Sequence, residues 1–189
     1  MVASHQQDYI TPEEYLLLEQ ESDTKHEYID GYAYAMAGAN DGHVTVAGNL
    51  FTLLRNHVRG SGCRVFISDM KARIEKSNRY YYPDVMVTCD QRDRENATEK
   101  KFPCLIVEVL SDSTEASDRG DKFADYQQLD TLQEYVLINV KRQRVECFRR
   151  NSEGFWVLQF YTSEQKDFEL KSINFVGEMS ALYEDVVFE

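Results

Sequence analysis

Leu105-Ile106-Val107-Glu108-Val109-Leu110 is apolar at every position but one. Such a run, half of it β-branched, fits a central strand covered on both faces. Just after it, Phe123, Tyr126 and Leu129 follow helical spacing within residues 114–129, and Tyr135-Val136-Leu137-Ile138 begins another strand. Strand, helix and strand in that order make a crossover between parallel neighbours. The fold class expected is α/β, of the α+β kind: a mixed central β-sheet, three-layered with its flanking helices, carrying extra antiparallel strands at the C-terminal side.

Upstream of that core, residues 80–89 and 63–75 are two more β-rich segments. Residues 41–59 place Val46, Ala47, Leu50, Leu53, Leu54 and Val58 three and four apart, the pattern of an amphipathic helix, with Gly60-Ser61-Gly62 as its stop. Asp30-Gly31 between aromatic flanks reads as a tight hairpin within residues 26–37. Thr11-Pro12-Glu13-Glu14 carries a capping box and starts a helix to about Glu21. Downstream, residues 145–150 and 155–161 form antiparallel strands joined near Asn151 to Gly154, followed by a weaker segment over 168–176. There is no repeat and no interdomain linker, so 1–189 is expected to be one domain.

Composition narrows the function classes. The chain has 189 residues, 42% hydrophobic, with a formal net charge of −12. That field draws nothing onto a polyanion, which excludes a purely electrostatic nucleic-acid binder. With 9 Gly, 3 Pro and 12% aromatic residues the chain is no disordered tract. Cys63, Cys89, Cys104 and Cys147 contain no C-x-x-C pair, and buried reduced thiols are expected. Residues 1–8 lack the pattern of a secretory leader and no run of ~18 apolar residues occurs. A soluble cytoplasmic protein with no membrane contact is the expectation.

Two carboxylates interrupt apolar strands. Asp84 follows Pro83 and precedes Val85-Met86-Val87, and Glu108 sits inside 105–110. A lone carboxylate of this kind is most often salt-bridged at a strand end, but two on adjacent strands are costly to bury unless a cation neutralises them. Oxygen ligands suit Mg²⁺, with Mn²⁺ as a substitute. Asp118, Lys122 and Tyr126 are spaced four apart and share one helical face. Lys122 is either a surface partner of Asp118 or a cation reaching back over the strand ends.

Taken together, Lys25-His26-Glu27-Tyr28-Ile29-Asp30-Gly31, Ser68-Asp69-Met70-Lys71, Tyr81-Tyr82-Pro83-Asp84-Val85 and Val107-Glu108-Val109-Leu110-Ser111 form an ordered set. Ser113-Thr114, Asp118, Lys122 and Tyr126 complete it. This set, over residues 12–150, resembles the PD-(D/E)XK nuclease superfamily, and within it the Uma-type restriction-endonuclease family. The resemblance implies a restriction-endonuclease-like core and a metal-dependent hydrolase of nucleic acid, with DNA favoured. It also implies that Asp84, Glu108 and the main-chain carbonyl of Val109 hold the metal, with Glu27 as an additional catalytic acid. The superfamily's lysine two residues after the glutamate is Leu110 here; Lys122 is the expected substitute and Lys71 the second candidate.

The remaining polar groups read as surface. His43 and Asn49 are assigned to a solvated helix face, as are the basic groupings Arg55, His57, Arg59 and Arg64, then Lys141, Arg142 and Arg144, and Arg149-Arg150. Trp156 and Tyr161 are expected in packing. Strand edges within 145–176 predict a homodimer. The missing lysine at position 110 keeps a second function open, a catalytically weak or inactive nuclease fold serving as a binding or assembly module.

Overall fold

The computed structural model describes residues 9–188; the residues 1–8 read above for a leader lie outside it. Thr11 caps α1 (Pro12–Glu21), its hydroxyl accepting from the Glu14 amide at 3.2 Å while the Glu14 carboxylate accepts from the Thr11 amide at 2.7 Å. The hairpin follows as β1 (His26–Ile29) and β2 (Tyr32–Ala35), turned at Asp30 and Gly31 with φ of 50° and 95°. Both turn residues are left-handed, as the tight two-residue turn requires. α2 (Asp41–His57) starts at Asn40, whose side chain accepts from the His43 amide at 3.0 Å.

Then come β3 (Arg64–Ile67), β4 (Lys71–Ile74), β5 (Arg79–Tyr81), β6 (Val85–Thr88), β7 (Glu99–Lys100) and β8 (Pro103–Leu110). After them lie α3 (Glu115–Arg119), α4 (Asp121–Tyr126), β9 (Glu134–Asn139), β10 (Arg144–Arg150) and β11 (Trp156–Thr162). β12 (Asp167–Leu170), β13 (Phe175–Glu178) and α5 (Met179–Leu182) close the described chain.

The central sheet has the order β11-β10-β9-β8-β6-β3 and is mixed, with β8 and β9 parallel and its other neighbours antiparallel. All eight residues of β8 are buried. Leu105, Val107 and Val109 face α2 and the β12–β13 hairpin, while Ile106 and Leu110 face α4, β4 and β5. Glu108 has the parity of the second face.

The structure departs from the sequence reading in four places. Segments 63–75 and 80–89 each split in two, the first at Ser68 to Met70 and the second at Tyr82-Pro83, where proline has no amide to give a ladder. Their halves enter different sheets, and an unanticipated second sheet, β2-β1-β5-β4-β7, covers α4's side of the central one. α1 forms a further layer on it through Tyr15, stacked on Tyr28 at 4.9 Å. The expected helix over 114–129 is two short helices broken at Gly120, where ψ is −104°. Lastly, Cys63 and Cys89 form a disulfide, because they extend the β3–β6 register by one pair and their Cα atoms stand 4.0 Å apart. Cys104 and Cys147 are the buried free thiols expected.

Candidate active site

Pro83 steps the chain from one sheet to the other, so Asp84 stands in that step, immediately before β6, rather than within a strand. Its backbone is held on both sides: the Asp84 carbonyl accepts from the Ser68 amide at 3.2 Å, and its amide donates to Glu108 Oε2 at 3.3 Å. The Asp84 carboxylate in turn accepts from the Val109 amide at 2.7 Å through Oδ2. Asp84 and Glu108 therefore clasp one another across the β6–β8 pairing. Val109 touches Asp84 through its amide.

Three other elements converge here. Tyr28 faces α1, so Glu27, its neighbour on β1, faces the central sheet. Lys122, on α4, lies 2.8 Å from Glu27 Oε1, 3.2 Å from Glu108 Oε1 and 3.6 Å from Asp118 Oδ1. Gly120 breaks the helix between Asp118 and Lys122, yet the two still share a face. Tyr126 donates its hydroxyl to Glu108 Oε1 at 3.0 Å. Lys71 is not among these groups; it donates to the Tyr82 hydroxyl at 3.3 Å, and Glu19 and Glu99 are the carboxylates that act on it.

One further residue joins the cluster against expectation. His43, assigned to a solvated helix face, is largely buried, and its Nε2 stands 2.8 Å from Asp84 Oδ1. A carboxylate can only accept, so Nε2 carries the hydrogen. His43 Nδ1 is buried without a partner among the described residues. Asn49 is likewise engaged, donating to the carbonyls of Leu182 and Glu184 at 3.2 and 2.9 Å.

The electrostatics are lopsided. Glu27, Glu108 and Asp118 share one ammonium, that of Lys122, while Asp84 takes a hydrogen bond from His43. Burial raises the Glu108 pKa well above the usual carboxylate range, Lys122 opposes this, and Asp118, Asp84 and Glu27 push it further up. Burial also raises Asp118. For Lys122 burial favours the neutral amine, but Glu108, Glu27 and Asp118 outweigh it and hold the group as ammonium. Glu27 Oε1 is buried with the ammonium near it but in no hydrogen bond.

That excess of buried negative charge fits a hard divalent cation. Among the described residues no three carboxylate, imidazole or thiolate groups close on one point, so no all-protein cage exists. Mg²⁺ needs none, since it keeps several waters and takes one or two carboxylates. Asp84 and Glu108, joined across the β6–β8 pairing, are the carboxylates that could take such an ion.

Known proteins share this architecture and sequence. The uncharacterized protein slr1290 of Synechocystis sp. is 40% identical over 179 residues, covering 95% of this chain and 94% of its own. A second from the same organism, sll1609, is 34% identical over 162 residues, 85% of this chain and 92% of its own. A crystal structure described as "a putative nuclease belonging to DUF820", from Anabaena variabilis, superposes with a TM-score of 0.77 at 16% identity, covering 94% of this chain and 99% of that one. That likeness shows a shared fold. The model of the Uma2 family, described as "Putative restriction endonuclease", matches residues 12–176. The chain belongs to the Uma2 family.

Proposed function

We propose that this protein is a metal-dependent nuclease that hydrolyses phosphodiester bonds, with DNA as its substrate and Mg²⁺ as its cofactor. The observation that carries the reading is the under-neutralised cluster: three carboxylates on one lysine, with Glu108 buried and Asp84 held against it. A core that needed these groups only for stability would pair each with its own cation. The family description and the superposed "putative nuclease" support the same reaction class.

Asp84 and Glu108 would hold the ion, with the Val109 carbonyl as a third oxygen. A bound divalent cation supplies Lewis-acid stabilisation of the phosphoryl oxygens and an activated water. Lys122 brings an ammonium over the ends of β6 and β8, where it offsets charge growing on the phosphate. Glu27 holds that ammonium from the second sheet, Tyr126 fixes the Glu108 carboxylate by its hydroxyl, and His43 orients Asp84. Leu110 stands where the superfamily has its lysine, and Lys122 reaches the same glutamate from the next helix at 3.2 Å.

The test is cleavage of labelled duplex DNA, single-stranded DNA and RNA with Mg²⁺, Mn²⁺ or EDTA. Cleavage of DNA that needs the ion and disappears in Asp84→Ala supports the reading. Cleavage unaffected by EDTA or by Asp84→Ala sinks it, and specific binding without cleavage of any substrate assigns the fold to a non-catalytic module. The proposal extends to a homodimer, because β11 is an edge strand on which Val157, Leu158 and Phe160 stand exposed. Sedimentation that returns only the 22.0 kDa species would exclude it.

A further inference from the structure

At the far end of the β3–β6 pairing from Asp84, a cavity of ≈520 Å³ opens between the end of α2, the loop through Gly60 and Gly62, and β3. Arg55, Arg64 and Arg94 line it, together with Cys63, Val65 and Phe66, and no carboxylate does. In a chain with a formal net charge of −12 this is a local reversal of sign. Arg55 and Arg64 are exposed and have no ion-pair partner among the described residues, while Arg94 donates to the Gly62 carbonyl at 3.0 Å.

Two acids beside Gly62, Arg64 and Arg94, Asp90 and Asp93, are already engaged. Asp90 is gripped by Arg92 at 2.6 and 2.9 Å. Asp93, beneath the rim, accepts from the Thr88 hydroxyl at 2.6 Å and from the amides of Lys101 and Phe102 at 2.8 and 3.2 Å. Lys100 lies close enough for its charge to act against that of Arg64. The Cys63–Cys89 disulfide ties the rim at the end of both strands.

α2 and β6 both run from this cavity to the carboxylate cluster. Arg64 pairs with Thr88, four residues along from Asp84. Four residues span about 13 Å of strand. α2 runs alongside: His43 meets Asp84 at its first turn, and Arg55 reaches the cavity in its last. Between them the helix carries no acidic residue, and Val44 and Thr52 are exposed.

We propose that the Arg55–Arg64–Arg94 cavity binds a backbone phosphate of the polynucleotide whose cleavage is proposed above, about four nucleotides from the scissile bond. That number is the ~13 Å offset divided by the strand's ~3.4 Å rise per charge. The site reads no base; it sets the register of the strand along α2 and β3 and adds affinity that weakens with salt. The inference rests on the nuclease reading, and its experiment separates the two.

Parent and the double variant Arg55→Ala/Arg64→Ala are compared on a fluorescein-labelled duplex two helical turns long, with Ca²⁺ in place of Mg²⁺. Binding is measured by anisotropy across a salt series. The variant should bind about threefold to tenfold more weakly, with a salt slope shallower by about 1 to 2. Arg55→Lys/Arg64→Lys should recover the slope, and Lys166→Ala, an exposed charge on the far hairpin loop, should change neither.

With Mg²⁺, KM for the duplex should rise in the variant, while hydrolysis of thymidine 5′-(4-nitrophenyl phosphate), too short to reach the cavity, stays at the parental rate. Unchanged affinity and slope overturn the phosphate site and leave the nuclease reading standing. Equal loss on the long and short substrates also overturns it, since the arginines would then act on the centre itself. So does tight binding of a free mononucleotide to the cavity with duplex affinity unmoved. A parent that neither binds nor cleaves any polynucleotide overturns both proposals.

Discussion

Glu108 on β8 and Glu134 and Glu146 on the next two strands are carboxylates in the same sheet, all buried, and they are treated in opposite ways. Glu134 accepts from Arg149 Nε at 2.6 Å and from the amide and hydroxyl of Ser172 at 3.0 and 2.9 Å. Glu146 takes a two-pronged hydrogen bond from Arg119 at 2.8 and 3.1 Å and another from Arg144 at 2.8 Å. Glu108 shares one lysine with two more carboxylates, Glu27 and Asp118. A buried carboxylate that serves the fold has its own guanidinium; one left short of positive charge is poised for a cation from outside. On the function proposed, the β9–β10 side of the sheet is scaffold and the β6–β8 pairing carries the working edge.

The sharpest way to break that contrast is to remove one carboxylate from each side. Asp84→Ala or Glu108→Ala should lower Mg²⁺-dependent cleavage by ~10³-fold or more, the loss of several kcal/mol of charge stabilisation. In the metal-free protein, Glu108→Gln should leave the melting temperature unchanged or raise it, because it deletes surplus buried charge. Glu134→Gln should instead lower stability by about 3–5 kcal/mol, as expected when one partner of a buried ion pair is removed. Denaturant melts in EDTA would show whether the two strands behave alike, which would erase the distinction.

Lys122 sits on the boundary between the two roles, and its removal should be felt in both. Lys122→Met should reduce cleavage by ~10²-fold, the scale of one positioned group. It should also destabilise the metal-free chain, since Glu27, Glu108 and Asp118 lose their common cation. Added Mg²⁺ should restore part of that stability, because an ion bound only by the native state favours it. A variant equally stable with and without Mg²⁺ would separate Lys122 from the metal centre.

Glu146 sharpens the scaffold side through pH. Burial would raise its pKa, but the hydrogen bonds from Arg119 and Arg144 outweigh this and hold it below the ordinary value of 4.5. The folded pKa being the lower one, its contribution to stability is present above the unfolded value and is lost as pH falls through the folded one. Glu146→Gln should therefore narrow the difference in melting temperature between neutral pH and pH below about 4.5. An acid limb identical to the parent's would show that the pair contributes nothing.

How much of this was legible in the chain follows from the range of the forces involved. β8, the hairpin at Asp30-Gly31, the α1 cap and the crossover are local patterns, and each appears where the sequence puts it. Asp84 and Glu108 meet through one hydrogen bond, and Lys122 lies against Glu108 and Glu27. What failed was long-range. A run such as Tyr81-Tyr82-Pro83-Asp84 carries a proline signal that breaks a strand, but nothing local says that the two halves join different sheets. Gly120 was likewise readable as a helix breaker. The Cys63–Cys89 pairing depends on β3 and β6 being neighbours in that register, and the burial of His43 depends on α2 lying against the step at Asp84; neither has a local sign.

His43 gives the smallest effect and tests whether the helix end belongs to the working edge. Asn40 caps α2 by accepting from the His43 amide at 3.0 Å, so cap and imidazole are one unit. Asn40→Ala should cost about 1 kcal/mol of stability, lowering the melting temperature by roughly 2–4 °C for a chain of this size. Asn40→Asp, which keeps an acceptor, should not. His43→Ala removes the hydrogen bond to Asp84 Oδ1 and should lower kcat more than Asn40→Ala does, while His43→Gln, which offers an N–H donor from a similar length of side chain, should regain part of it. If His43→Ala and Asn40→Ala reduce cleavage only in proportion to lost stability, and His43→Gln rescues nothing, the imidazole is packing. The working edge then ends at the strands.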